Sequence, residues 1–309
     1  MCYAFRNKIV IFKERSRIGE NKVIRKIKII LEMIKFEHTV FALPFAFLGA
    51  VVGSIMVNGS WPTLHHWIWI TLAMVGARSA AMALNRLIDE KIDKHNPRTA
   101  DRAIPANLIS KLEVIAFTIL SFALLIYSSF QLNLLAVYLL PVAVFFLFIY
   151  SYTKRFTWAC HIVLGITIGI APLGGWVGTT GTLPWVAAFL FLAVVFWIAG
   201  FDVIYATQDA DYDKKAGLYS IPSYFGIKKA LQIARGLHVL SFLAMLAMFF
   251  VSPLSWIYLI GVLIAGGIMV YEHMIISEDD LSKVGVAFFP MNGIISIVML
   301  VFTIGDLLL

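Results

Sequence analysis

The chain has 309 residues, of which 61% are hydrophobic and only 14% charged, and it carries a net charge of +7. An ordinary soluble domain is roughly a quarter charged; with a mean hydropathy of +0.87, a soluble enzyme is excluded and a polytopic membrane protein is indicated. Two cysteines, Cys2 and Cys160, and scattered histidines exclude a disulfide framework, a cysteine-based metal centre and an HExxH zinc site.

In chain order, the first element is a basic arm, residues 1–30. Residues 1–35 hold ten Lys/Arg against three acids and lack the apolar core and cleavage site of a signal peptide. The arm is expected on the cytoplasmic side, touching anionic headgroups. Residues 31–309 then form the membrane domain. A bilayer-spanning helix needs about 20 apolar residues, and nine runs qualify: 39–58, 67–88, 112–130, 134–152, 159–179, 183–207, 229–251, 254–276 and 285–307. Their short connectors predict an all-α membrane protein, one bundle of about nine transmembrane helices.

Charge sets the expected orientation. The connectors near 59–66, 131–133, 180–182 and 252–253 contain no Lys, Arg, Asp or Glu, whereas the N-terminal arm and the alternate connectors hold nearly all of them. The positive-inside rule places the N-terminus in the cytoplasm. Asp306 is then the one acid on the far side. The chain is expected in the cell inner (plasma) membrane, multi-pass, with its polar chemistry facing the cytoplasm.

That chemistry lies in two stretches. In "NRLIDEKIDKHNPRTADRAIP" (85–105), Asn85, Asp89 and Asp93 stand four residues apart and share one helical face, with Arg78 seven residues before Asn85. An unpaired charge inside a span is costly, so such a column lines a polar cavity. In "FDVIYATQDADYDKKAG" (201–217), Asp202, Asp209 and Asp213 share a face and Asp211 points elsewhere. The two pairs are offset by 120 residues, and each is followed by bases and an Ile-Pro, as in a weak internal repeat. Two facing carboxylate columns repel unless a cation bridges them. Mg²⁺ suits this, because it binds one or two carboxylates together with substrate phosphates. Asn85, Asp89, Asp93, Asp209 and Asp213 are the expected metal ligands. Arg78, Arg86, Lys91, Arg98 and Arg102 are the expected diphosphate-binding bases. No GxxxxGK[ST] loop is present, and glycines such as those of "GGWVG" are expected to permit close helix packing.

These motifs resemble the signatures of the UbiA superfamily of intramembrane aromatic prenyltransferases, as do "FEHTVFALPFAF", "YSYTKRFTW" and "FFPMN". The resemblance runs from about residue 32 to the end and is greatest to bacterial 4-hydroxybenzoate polyprenyltransferases and their menaquinone-pathway relatives. It implies a nine-helix bundle around a central cavity and a Mg²⁺-dependent polyprenyltransferase of lipid-quinone biosynthesis. The partners implied are a polyprenyl diphosphate, an aromatic acid and membrane lipid, with no nucleic acid. Asp89, Asp93, Asp209 and Asp213 would be catalytic, with Asp202 a further ligand, a supporting partner or the acceptor of the ring proton. Tyr205 and Phe201 are candidates to shield an allylic cation, and Lys154 and Arg155 to bind the aromatic acid, although "YTKR" is also an ordinary interface anchor. Prenylation of a dihydroxynaphthoate is the alternative reaction. A cation transporter is the alternative class; a CDP-alcohol phosphotransferase is disfavoured by the missing Asp-Gly…Ala-Arg pattern.

Overall fold

The computed structural model describes residues 22–35 and 39–309, and among these every regular element is helical. An amphipathic helix α1 (Lys22–Met33) precedes nine longer ones: α2 (Thr39–Asn58), α3 (Leu64–His95), α4 (Lys111–Leu132), α5 (Leu134–Thr153), α6 (Cys160–Thr180), α7 (Ala187–Ala206), α10 (Ile227–Val251), α11 (Trp256–Met274) and α12 (Asn292–Leu308). Two short helices, α8 (Ala210–Lys215) and α9 (Ile221–Phe225), lie between α7 and α10. Among the described residues, seven helices are long and apolar enough to cross a membrane, counting α7 through α8 as one, and two shorter apolar helices accompany them, Ala42–Asn58 and Asn292–Leu308. The chain is a multi-pass membrane protein.

The boundary expected at residue 30 falls inside α1, whose Met33, with the following Ile34, packs against Ala83, Ile104 and Val114. Most of the basic arm, residues 1–21, lies outside the described residues, as does Cys2. The last run also differs: a turn at Val284–Val286 and a π-helical stretch at Ala287–Met291, with Pro290 inside it, precede α12.

The largest departure is α3. The apolar run was expected to end near residue 88. The helix continues to His95 and stops only at Asn96, ahead of Pro97. Its 32 residues span about 48 Å at 1.5 Å per residue, well beyond the roughly 30 Å hydrocarbon core. The acidic column, expected on one helical face, therefore rides on the projecting end of this helix.

Packing divides the bundle. Helices α2 and α6 meet through small residues: a Cβ on Gly49 would lie 2.0 Å from the Pro172 carbonyl oxygen, and one on Gly175 would lie 1.9 Å from that of Ala46. This is the close approach that glycine allows between membrane helices. On one side of the seam, α7 and α10–α12 pack solidly around Trp197, Met245, Tyr258 and Met299. On the other, α3–α7 surround a cavity. At the far end, Asp306 accepts hydrogen bonds from the backbone N–H groups of Ser255 (2.6 Å), Ile257 (3.1 Å) and Tyr258 (3.1 Å), and so caps the start of α11.

Overpacking the seam is predicted to destabilise the fold. Gly175→Ala should cost about 1–3 kcal/mol, read as a lower thermal midpoint in detergent. Gly236→Ala, where nothing lies within 4 Å of the added Cβ, should hold or raise the midpoint, because alanine is the better helix former. Equal midpoints for both variants would refute the seam.

Candidate active site

The cavity has a volume of about 1810 Å³, against roughly 300–1,000 Å³ for a typical small-ligand pocket. Its walls are mostly apolar, including Met74, Leu125, Leu140 and Leu147, and reach Leu183 near the far end. Its polar mouth gathers Asn85, Asp89, Asp202, Asp209 and Asp213 from α3 and the α7–α8 region, with Arg78, Arg86, Arg98, Arg102 and Lys154.

The two acidic motifs are built differently. The first is one face of an unbroken helix. The second crosses a break: α7 ends at Ala206, a 3₁₀ turn covers Thr207–Asp209, and α8 begins at Ala210. The tighter turn shifts the register expected for one continuous helix, yet Asp202, Asp209 and Asp213 all still face the cavity while Asp211 is exposed and does not. Shifting Leu64–His95 by the 120-residue offset gives 184–215, the stretch that α7 and α8 occupy, so the repeat and the structure share a register.

Most of the acids meet a base from a different segment. Lys154 Nζ lies 2.6 Å from Asp89 Oδ2, and an Arg155 terminal nitrogen lies 2.9 Å from Asp89 Oδ1. Arg102 donates to both oxygens of Asp93 at 2.8 Å. Arg98 binds Asp209 with two of its nitrogens, one at 2.8 Å, and donates to the Tyr205 hydroxyl at 2.8 Å. Burial works against the Arg98 charge, but its bonds to Asp209 outweigh that and hold the guanidinium above its usual range. Asn96 also donates to Asp209, at 3.1 Å, and the Tyr212 hydroxyl donates to the Ile92 carbonyl at 3.0 Å, so the two motifs are joined directly.

Several expected roles change with this placement. Asp93 and Lys91 do not line the cavity: Asp93 is turned into its clamp with Arg102, and Lys91 is exposed. Arg86 is buried, with Nε donating to the Met33 carbonyl at 3.3 Å and a terminal nitrogen to Asn85 Oδ1 at 3.1 Å. Asn85 in turn donates to Asp89 Oδ2 at 2.9 Å and so steadies Asp89. Arg155 is not in the cavity wall; besides Asp89 it donates to the carbonyls of Ser151 (2.7 Å) and Ile88 (2.9 Å) and lies over the Tyr152 ring at 5.3 Å. Lys154 does line the cavity, as do Arg78 deeper in and the aromatic pair Phe201 and Tyr205. Sequence reasoning missed His161, whose Nδ1 lies 2.7 Å from Asp202 Oδ2. The two residues are 41 apart in the chain and no local pattern links them.

The oxygen donors suit a hard cation, but among the described residues no three His, Cys, Asp or Glu side chains converge on a ready-made cation site. A metal held here would be shared with an anionic ligand. Asp89, Asp209 and Asp213 are the carboxylates placed to hold it.

An oxygen-rich mouth over a large apolar chamber defines a membrane bundle with a buried amphiphilic binding site. The chain belongs to the UbiA prenyltransferase family, whose model matches residues 43–294. A 4-hydroxybenzoate octaprenyltransferase of Aliivibrio fischeri is 32% identical over 259 residues, covering 78% of this chain and 88% of the relative. The fold superposes on a UbiA homologue from Aeropyrum pernix K1 with a TM-score of 0.80 at 29% identity, covering 88% of this chain and 98% of the other. It also superposes on an Archaeoglobus fulgidus homologue solved with GPP and Mg²⁺, with a TM-score of 0.69 at 18% identity, covering 91% and 100%. The chain is a prenyltransferase.

Proposed function

We propose that the chain transfers a polyprenyl group from an allylic polyprenyl diphosphate to an aromatic acid of the 4-hydroxybenzoate type, with the diphosphate held at the cytoplasmic mouth by a shared Mg²⁺. The carrying observation is the joining of two cross-braced acidic motifs to one apolar chamber of about 1810 Å³. Relatives named for that acceptor favour it over a dihydroxynaphthoate, and a homologue bound to GPP and Mg²⁺ supports the donor and the ion.

The ion would neutralise charge on the departing diphosphate. The chain's residues do the rest. Asp89, Asp209 and Asp213 hold the head of the donor, and Arg98 and Arg102 lie within the same mouth to meet phosphate oxygens. The apolar wall seats the tail and keeps water from the allylic cation. Phe201 and Tyr205 offer ring faces to that cation. A buried acceptor carboxylate needs a cationic partner. Lys154 retains that role, whereas Arg155 tethers Asp89.

Asp89→Asn and Asp209→Asn each remove a charge with little change of volume. Both are expected to abolish turnover of geranyl diphosphate with 4-hydroxybenzoate while the folded protein survives in detergent; near-normal rates in both would end the two-motif reading. Lys154→Ala should raise the KM for the aromatic acid about 30-fold or more, as loss of a buried charge partner costs about 2–5 kcal/mol. A rise for the prenyl diphosphate instead would assign Lys154 to the diphosphate and leave Arg78 as the cation for the acid.

The orientation is testable with single cysteines in a chain lacking Cys2 and Cys160. A cysteine at Ser60, exposed after α2, should react with an impermeant maleimide on intact cells; one at Ser282, exposed after α11, should react only after permeabilisation. The opposite pattern would move the active site to the other face.

A further inference from the structure

His161 occupies the first turn of α6 and its side chain is only 4% exposed. Two contacts fix its ring. Nδ1 lies 2.7 Å from Asp202 Oδ2, and the backbone N–H of Ile221 donates to Nε2 at 3.2 Å. A backbone N–H can only donate, so Nε2 must carry a lone pair. The hydrogen is therefore on Nδ1, and a neutral imidazole donates it to the Asp202 carboxylate.

The helices impose this meeting. A Cβ on Gly165, one turn beyond His161, would lie 2.3 Å from the Val195 carbonyl oxygen of α7. The close crossing brings the start of α6 against the last part of α7, where Asp202 sits. Ile221 opens α9 and follows the Ile-Pro register of the second motif, so one ring ties three segments together. Asp202 itself lines the cavity with a side chain 23% exposed, beside Phe201 and Tyr205. Among the described residues, its Oδ1 takes no hydrogen bond.

We propose that His161 is a positioning residue: it holds one oxygen of Asp202 so that the other, facing the chamber, accepts the proton released when the aromatic ring is prenylated. The inference rests on the proposed function. In that step the allylic C–O bond breaks and its electron pair leaves with the diphosphate. The ring carbon forms the new C–C bond, the ring C–H bond then breaks, its electrons restore the aromatic system and the proton passes to Asp202 Oδ1. A neutral donor suits this arrangement, because it orients the carboxylate without cancelling its charge.

Two near-isosteres separate the two contacts of His161. Asparagine can place an amide N–H where Nδ1 stands and loses the Ile221 contact; glutamine can place an acceptor near Nε2 and loses the Asp202 contact. In the full-length enzyme in nanodiscs, assayed with geranyl diphosphate, 4-hydroxybenzoate and Mg²⁺, His161→Gln is expected to lower kcat about 30-fold, the scale of a lost hydrogen bond to a charged group. The KM for geranyl diphosphate should hold. His161→Asn should restore most of kcat, and adding His161→Gln to Asp202→Asn should cost nothing more. Glutamine equal to wild type, or glutamine active with asparagine inactive, overturns the proposal. A wild type that prenylates no aromatic acid sinks the proposed function instead. The positioning contact is then read without turnover, from ¹⁵N shifts of labelled histidine assigned by difference with His161→Asn: protonated Nδ1 with bare Nε2 is expected, and any other state overturns it.

Discussion

Carboxylates at the edge of a membrane are expensive unless each meets a cation, and this constraint organises the mouth of the enzyme. Asp89 is held by Lys154 and Arg155 from the end of α5, and Asp93 by Arg102 and Asp209 by Arg98 from the loop after α3. Asp202 accepts instead from the neutral His161 of α6. Further hydrogen bonds extend the same logic. Arg86 orients Asn85, which orients Asp89, and Arg86 also anchors α1 through the Met33 carbonyl. Because the partners come from separate segments, satisfying the acids is what assembles the mouth.

The seam between α2 and α6 does for the apolar part what the ion pairs do for the polar part. Glycines 49 and 175 let two backbones touch, and this wall leaves α10–α12 to fill one half of the bundle while the other half stays open. Trp197, Met245 and Tyr258 fill the closed half, while Ile198 and Phe201 of the same cluster face the cavity. A chamber of this size inside a helical bundle needs such a partition, since an unsupported void would collapse or fill.

Much of this was legible in the sequence. Apolar run length located the helices, because span length is fixed by the bilayer. The four-residue spacing pointed to both acidic motifs, although Asp93 turns from the cavity into its clamp and a 3₁₀ turn interrupts the second motif. What failed was of two kinds. The end of α3 was placed too early, because hydropathy falls at Arg86 while helix geometry continues until Asn96 and Pro97; polarity marks the membrane surface, not the end of a helix. The roles of bases were blurred for a different reason. Arg86, Lys91, Arg98 and Arg102 read alike as cations near acids, but one is buried against a carbonyl, one is exposed, and two clamp specific aspartates. Such choices, like the His161–Asp202 contact, depend on which segments lie beside one another, and spacing does not carry that information.

The ion pairs also bear on how the mouth exchanges ligands. Arg155 stands outside the cavity wall and serves the frame, whereas the clamp on Asp93 is made by Arg102, which lines the mouth. The pairs at Asp209 with Arg98 and at Asp89 with Lys154 lie in the wall itself. Their members want opposite things: carboxylates take a cation, and bases take phosphate or carboxylate oxygens. A diphosphate arriving with its cation satisfies both at once, so each internal pair exchanges for two external ones without leaving a buried charge unmatched. Under the proposed function, the charge balance of the mouth would favour the neutralised complex over either component, with residues that also hold the fold together.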